Sequence, residues 1–248
     1  MKSGANLLEP ESVKQILAEK KWDNNTKALV TYLYSKFLEA IGNSWEAPKY
    51  RITQKIPFLP TEQELDALIS GVRKKVATFL RLLKETGLRS GEAWHLKWMN
   101  LDFENQTLTL NEPEKHGRPR ILKLSSTLIA MLKSMQTENE RVFNGTVRQA
   151  RASFRNYRKR MSFKLKNPRL LRITFHSFRH WKASMEYHKT KDILHVMEML
   201  GHRNIKNTLV YTHLINFESD EWHSKTAKTI EEAQKLVESG FEYICTTP

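Results

Sequence analysis

The sequence predicts a mainly α-helical protein carrying one small antiparallel β-sheet, an α+β arrangement. Three observations lead there. Apolar residues recur at helical spacing through most of the 248 residues. Capping residues, glycines and prolines punctuate those segments where helices should start and stop. One stretch departs from the rule. In residues 106–124, "QTLTL" and "RILKL" alternate with period two around the polar turn "NEPEKHGRP", which is the pattern of a β-hairpin.

The first helix is expected over Glu11–Lys20. A second runs from about Asn25 to Ile41, with Leu29, Leu33, Phe37 and Ile41 four apart along one face. Gly42 ends it. Residues 43–60 hold three prolines and no helical period, so they read as a linker. "TEQE" follows, a capping box in which Thr61 and Glu64 satisfy free backbone N–H groups. Leu65, Leu68, Ile69 and Val72 form that helix's buried stripe; Val76, Phe79, Leu80 and Leu83 form the next, closed by Gly87. After the hairpin, helices are expected to start near Ser126, Thr146, Thr174, Lys191, Asn204 and Glu218. The organisation is a short helical unit at 1–42, the linker at 43–60, and a larger domain with a helical tail at 61–248.

Composition narrows the function. With 40% hydrophobic and 27% charged residues and no repeats, a folded soluble chain is expected. There is no apolar run of membrane-spanning length and no signal-peptide core. The single cysteine, Cys245, rules out an internal disulfide framework and fits a reducing cytoplasm. Net charge is +14, and residues 141–182 hold thirteen Lys and Arg with no Asp or Glu. Such a window repels itself unless a polyanion lies nearby, and nucleic acid fits better than an acidic membrane, because no strong apolar face accompanies it.

Within that window, Val147, Ala150, Phe154, Tyr157 and Met161 step along one helical stripe. Arg148, Arg151, Arg155 and Arg158 step along its neighbour, with Lys159 beside them. One stripe can pack on the domain while the other meets phosphates or base edges.

"HSFRHWKAS" places His176 and Arg179 three apart near a helix start, on one face. His202 follows in "LGHRNIKNTLVYTH", and Tyr211 stands nine residues later. Arg89, in "ETGLRSGEAWHLKW", lies between a glycine stop and another helix. Read alone, Tyr211 is an ordinary core aromatic. His95, His116, His180 and His188 read as surface or packing residues, with His116 and His180 the nearest to DNA. No HExxH or paired Cys–His spacing exists, so neither a metal nor any other cofactor is expected.

Taken together, "TGLRSGEAWHLKW", the lysine of "EKHGRPR", "HSFRH" and "LGHRNIKNTLVYTH" resemble the signature boxes of the tyrosine recombinases, the phage-integrase and Xer family, over about residues 60–215. The resemblance implies catalytic roles for Arg89, Lys115, His176, Arg179, His202 and Tyr211, with Glu92 orienting Arg89. It implies a core-binding-like role for the N-terminal unit, shorter than is usual. Phe178 stands where the family more often has leucine.

The chemistry fits those roles. Charge building on phosphoryl oxygens needs fixed donors, and two guanidiniums supply forked ones. A phenol, with a pKa of about 10, needs its proton removed and its oxygen aligned. His176 is expected to accept that proton or hold the phosphate, His202 to donate to a non-bridging oxygen, and Lys115 to protonate the departing 5′-oxygen.

The implied activity is site-specific recombination or integration through a 3′-phosphotyrosyl intermediate. The alternatives are a topoisomerase-like nicking and resealing enzyme, or a DNA-binding protein whose catalytic set goes unused. The implied partners are double-stranded DNA and a homotetramer on DNA, with no membrane. The implied location is the cytoplasm, on DNA.

Overall fold

The structure is a computed structural model and describes residues 4–53, 56–214, 227 and 229–238. It divides into two compact units, Met1–Leu59 and Pro60–Pro248.

The first unit pairs helix α1 (Pro10–Glu19) with helix α2 (Asn24–Ala40), which Asp23 caps by accepting from the Thr26 N–H. Its core is Val13, Leu17, Tyr34 and Leu38, and Trp45 sets its edge against the Tyr34 ring at 4.6 Å. The four-apart stripe is not the buried one. Leu29, Leu33, Phe37 and Ile41 are exposed, while Thr31, Tyr34 and Leu38 face inward. At 3.6 residues per turn, steps of four drift around the helix, whereas steps of three and four stay on one side. Residues 43–53 and 56–61 form neither helix nor strand.

In the second unit the Thr61–Glu64 capping box opens helix α3 (Glu62–Ser70) as expected. Helix α4 (Lys74–Thr86) is the central element, and Gly87 closes it at φ +64, a backbone region that glycine enters without penalty. The short helix α5 (Ser90–Trp94) follows at once. The sheet comes next: β1 (Leu101–Asp102), β2 (Thr107–Leu110) and β3 (Arg120–Lys123), antiparallel in that order, with Leu108 opposite both Leu101 and Leu122. The β2–β3 hairpin is the expected one. Strand β1 is additional, and two residues are too few to show a period.

The remaining elements are α6 (Ser126–Lys133), α7 (Val147–Lys164), α8 (Phe175–Thr190), α9 (Ile193–Leu200), α10 (Lys206–Leu209) and α11 (Ile230–Glu238). The helix start expected near Glu218 lies outside the described residues. Phe79 on α4 sits at the centre of the core, its ring edge-on to Trp94, Phe143 and Phe175 at 4.9–5.3 Å. Such contacts bring α4, α5 and α8 together, and those elements carry the charged residues described next. The hairpin is tied in separately: the Arg118 N–H donates to the Gly201 carbonyl at 3.1 Å. Among the described residues, no helix is long and apolar enough to cross a membrane.

Candidate active site

The site is organised around one carboxylate. Arg89 caps α5, and Glu92, in the first turn of that helix, is fully closed off from solvent at its side chain. Glu92 accepts from the Arg89 backbone N–H and guanidinium, both at 2.9 Å, from Arg120 at 2.8 Å and from the Glu114 N–H at 3.2 Å. Burial would push this carboxyl's pKa up. The Arg120 charge and the Arg89 hydrogen bonds outweigh it and hold the pKa below the usual carboxylate range. The Glu114 carboxylate lies over Gly91, where a side chain would have to push it aside.

Arg179, 1% exposed on α8, is the second fixed cation. Its guanidinium donates to the Gly87 carbonyl at 2.7 Å and the Leu200 carbonyl at 2.8 Å, and it meets His202 Nε2 at 2.9 Å. Burial lowers its pKa to about 10, which still leaves it charged at neutral pH. A guanidinium only donates, so His202 Nε2 is the acceptor. The ring proton therefore sits on Nδ1, which reaches Thr208 Oγ1 at 2.9 Å. Burial, followed by Arg179, Arg89 and Arg120, lowers the His202 pKa to about 4. In this arrangement His202 has no N–H to offer a phosphate. Its ring nitrogens are shared between Arg179 and Thr208.

Tyr211 stands in a 3₁₀ turn, Val210–His213, directly after α10. It is 3% exposed and packs with Ala183, Val196 and Leu200. It is thus a core residue, yet its hydroxyl lies 3.2 Å from His180 Nδ1. Burial raises the phenol pKa, against the lowering pull of Arg179 and Arg89. The His180 ring also meets the His176 ring edge-on at 4.4 Å. Burial, then His176 and Arg179, lowers the His180 pKa to about 4. His180 is thus half-buried and packed against two side chains that the resemblance marks as catalytic, His176 and Tyr211. His176 stays exposed at the rim, with its pKa lowered by crowding and by Arg179, Lys115 and Arg89.

Beside these groups opens a cavity of about 570 Å³, lined by Arg89, Lys115, His176 and, from α7, Arg151, Arg155 and Arg158. Lys115 is exposed at the hairpin tip with φ 56. Arg151 donates to Ser90 Oγ at 3.0 Å, and Arg158 to the Ile173 carbonyl. Arg148 and Lys159 are exposed on the same helix but are not part of this lining.

The fold and geometry agree with what sequence comparison finds. A sequence model of the phage integrase family matches residues 60–217. The chain belongs to the phage integrase family. Integrase-family relatives include the tyrosine recombinase XerA of Pyrococcus horikoshii, 28% identical over 194 residues, covering 75% of this chain and 66% of that protein. Another is XerC of Xanthomonas campestris, 28% identical over 161 residues, covering 63% and 47%. The chain therefore spans between 47% and 66% of the length of such curated relatives. The catalytic domain of bacteriophage HP1 integrase superposes with a TM-score of 0.51 at 26% identity, over 64% of this chain and 89% of that one. The Tn1549 transposon integrase, in complex with transposon right end DNA, superposes with a TM-score of 0.64 at 17% identity, over 96% and 86%.

Two residues of this integrase-family site escaped the sequence reading, although a signal existed for each. Alternation in "RILKL" puts Arg120 on the same side as the buried Leu122 and Leu124, so a buried arginine was legible there. His180 lies four residues after His176 and one after Arg179 on α8, so the same-face argument that selected His176 selects it too.

Proposed function

We propose that this protein is a site-specific DNA recombinase or integrase. Tyr211 attacks a scissile phosphate, leaving a 3′-phosphotyrosyl bond and a free 5′-hydroxyl, and a 5′-hydroxyl from a partner strand reverses the step. The observation that carries this reading is a cavity lined by Arg89, Lys115 and His176, together with the charges of Arg89 and Arg179 that pull down the pKa of the buried Tyr211 phenol. Arg89 and Arg179 are held by Glu92, Gly87 and Leu200, so they meet transition-state charge without reorganising. Lys115, on the exposed tip, is placed to protonate the leaving oxygen. Arg151, Arg155 and Arg158 extend the cavity along the path a backbone would take; Arg148 and Lys159 are proposed to meet phosphates beyond it.

Double-stranded DNA is the proposed substrate. The Tn1549 integrase is solved on transposon DNA and XerH on its difH substrate. Recombination between two duplexes calls for four protomers on DNA, and the proposed location is the cytoplasm, on DNA. The test uses a library of nicked duplexes with randomised flanks. Wild-type protein should give an SDS-stable protein–DNA adduct and the Tyr211→Phe variant none. An adduct that survives that substitution removes Tyr211 as the nucleophile.

A further inference from the structure

We propose that His180 is a catalytic residue, the group that takes the proton from Tyr211 as its oxygen bonds to phosphorus. This rests on the reading of Tyr211 as nucleophile and assigns its base, a task the sequence left with His176. His180 Nδ1 is 3.2 Å from the Tyr211 hydroxyl, while His176 lines the cavity and meets the His180 ring edge-on at 4.4 Å. The three side chains thus form a file running from the cavity wall to the nucleophile.

The direction of the proton follows from the neighbours. Arg179 and Arg89 favour loss of the phenol proton through their charge, and the bond to His180 is the path the geometry offers it. The phenol's own O–H is then directed at His180 Nδ1, which requires a neutral imidazole carrying its proton on Nε2. Burial and the surrounding cations keep that ring neutral in the DNA-free protein. Those same cations make it a weak base at rest. A bound phosphate adds negative charge next to His176 and raises the basicity of His180 at the step that needs it.

The step balances. As the Tyr211 oxygen–phosphorus bond forms, its proton passes to His180. As the phosphorus–5′-oxygen bond breaks, that oxygen takes a proton from Lys115. His180 leaves the step as imidazolium and Lys115 as neutral amine. Rejoining runs the transfers backwards, with His180 returning the proton to the departing phenolate.

The test uses the duplex captured by the wild-type protein, rebuilt as a defined nicked substrate, so a failed base assignment is distinct from a failed nucleophile. If wild-type protein captures nothing, the recombinase reading fails first. Given a wild-type adduct, single-turnover cleavage by the His180→Ala variant should fall by about 10²–10⁴-fold, with DNA affinity unchanged and rate returning on addition of imidazole. The His180→Asn variant keeps an acceptor for the phenol and so protects the fold; it should stay slow, since an amide is not a base. A substrate with sulfur in place of the 5′-bridging oxygen needs no leaving-group acid. It should rescue Lys115→Ala and leave His180→Ala slow. Wild-type rate in His180→Asn, or rescue of His180→Ala by the sulfur substrate, overturns the proposal.

Discussion

Arg120 and Glu92 meet at 2.8 Å with both side chains closed off, 5% and 0% exposed. Removing one member of a buried pair strands the other charge, which costs about 3–5 kcal/mol. Arg120→Met should therefore lower the thermal midpoint of the larger unit by about 6–20 °C. It should also slow cleavage by releasing Arg89, which shares the carboxylate. Scanning calorimetry and single-turnover cleavage check the two parts separately, and an unchanged midpoint contradicts the buried-pair reading.

Stability should decline on mild acidification. His180 and His202 have folded pKa values of about 4, against about 6.5 in an unfolded chain. Between those values the unfolded state binds more protons, so stability is complete above about pH 6.5 and is lost progressively toward pH 4. Glu92 works the same way at lower pH, because its folded pKa is depressed by Arg120 and Arg89. Urea midpoints across this range should slope downward, and the His180→Asn, His202→Asn double variant should flatten the slope.

Tyr211→Phe separates packing from chemistry. The ring stays among Ala183, Val196 and Leu200, and only the hydroxyl's hydrogen bond is lost, about 0.5–1.5 kcal/mol. The variant should unfold within about 6 °C of wild type while forming no adduct. Tyr211→Ala leaves a cavity and should lose about 3–5 kcal/mol. Thermal melts beside adduct gels decide this.

The α7 arginines are expected to differ along the helix. Arg151 and Arg155 line the cavity and Arg148 does not. Each lost phosphate contact lowers the slope of log affinity against log salt by about 0.9. Arg151→Gln and Arg155→Gln should each show that change in fluorescence anisotropy with the captured duplex. A larger effect at Arg148 than at either contradicts the cavity as the backbone path.

Much of the fold was legible because its signals are local. The Thr61–Glu64 box, the Gly87 stop and the period-two hairpin each depend on neighbours within a few residues, and all appear where the sequence puts them. The α2 stripe misled because spacing by four counts apolar residues without asking which side of a two-helix unit is covered. The site was legible in its residue types but not in its hydrogen bonds. Nothing near His202 in sequence says that Arg179 would claim its Nε2, since that meeting depends on α8 packing against the end of α9. His180 was passed over for a related reason: its partner, Tyr211, lies 31 residues away.

The bond from the Arg118 N–H to the Gly201 carbonyl makes one joint of two parts that the proposed reaction uses at its opposite ends. Lys115 is three residues from one side of it and His202 one residue from the other. Gly201 is held at φ +67, and a side chain there would run into the Arg120 guanidinium and the Arg118 carbonyl, so the joint needs its glycine. On the proposed reading, a strand that lifts the hairpin tip is expected to pull on the turn leading to Tyr211, and the reverse. In the proposed reaction this joint ties cutting to a hairpin tip already in position, so that no strand is opened before the proposed donor to its departing end has arrived.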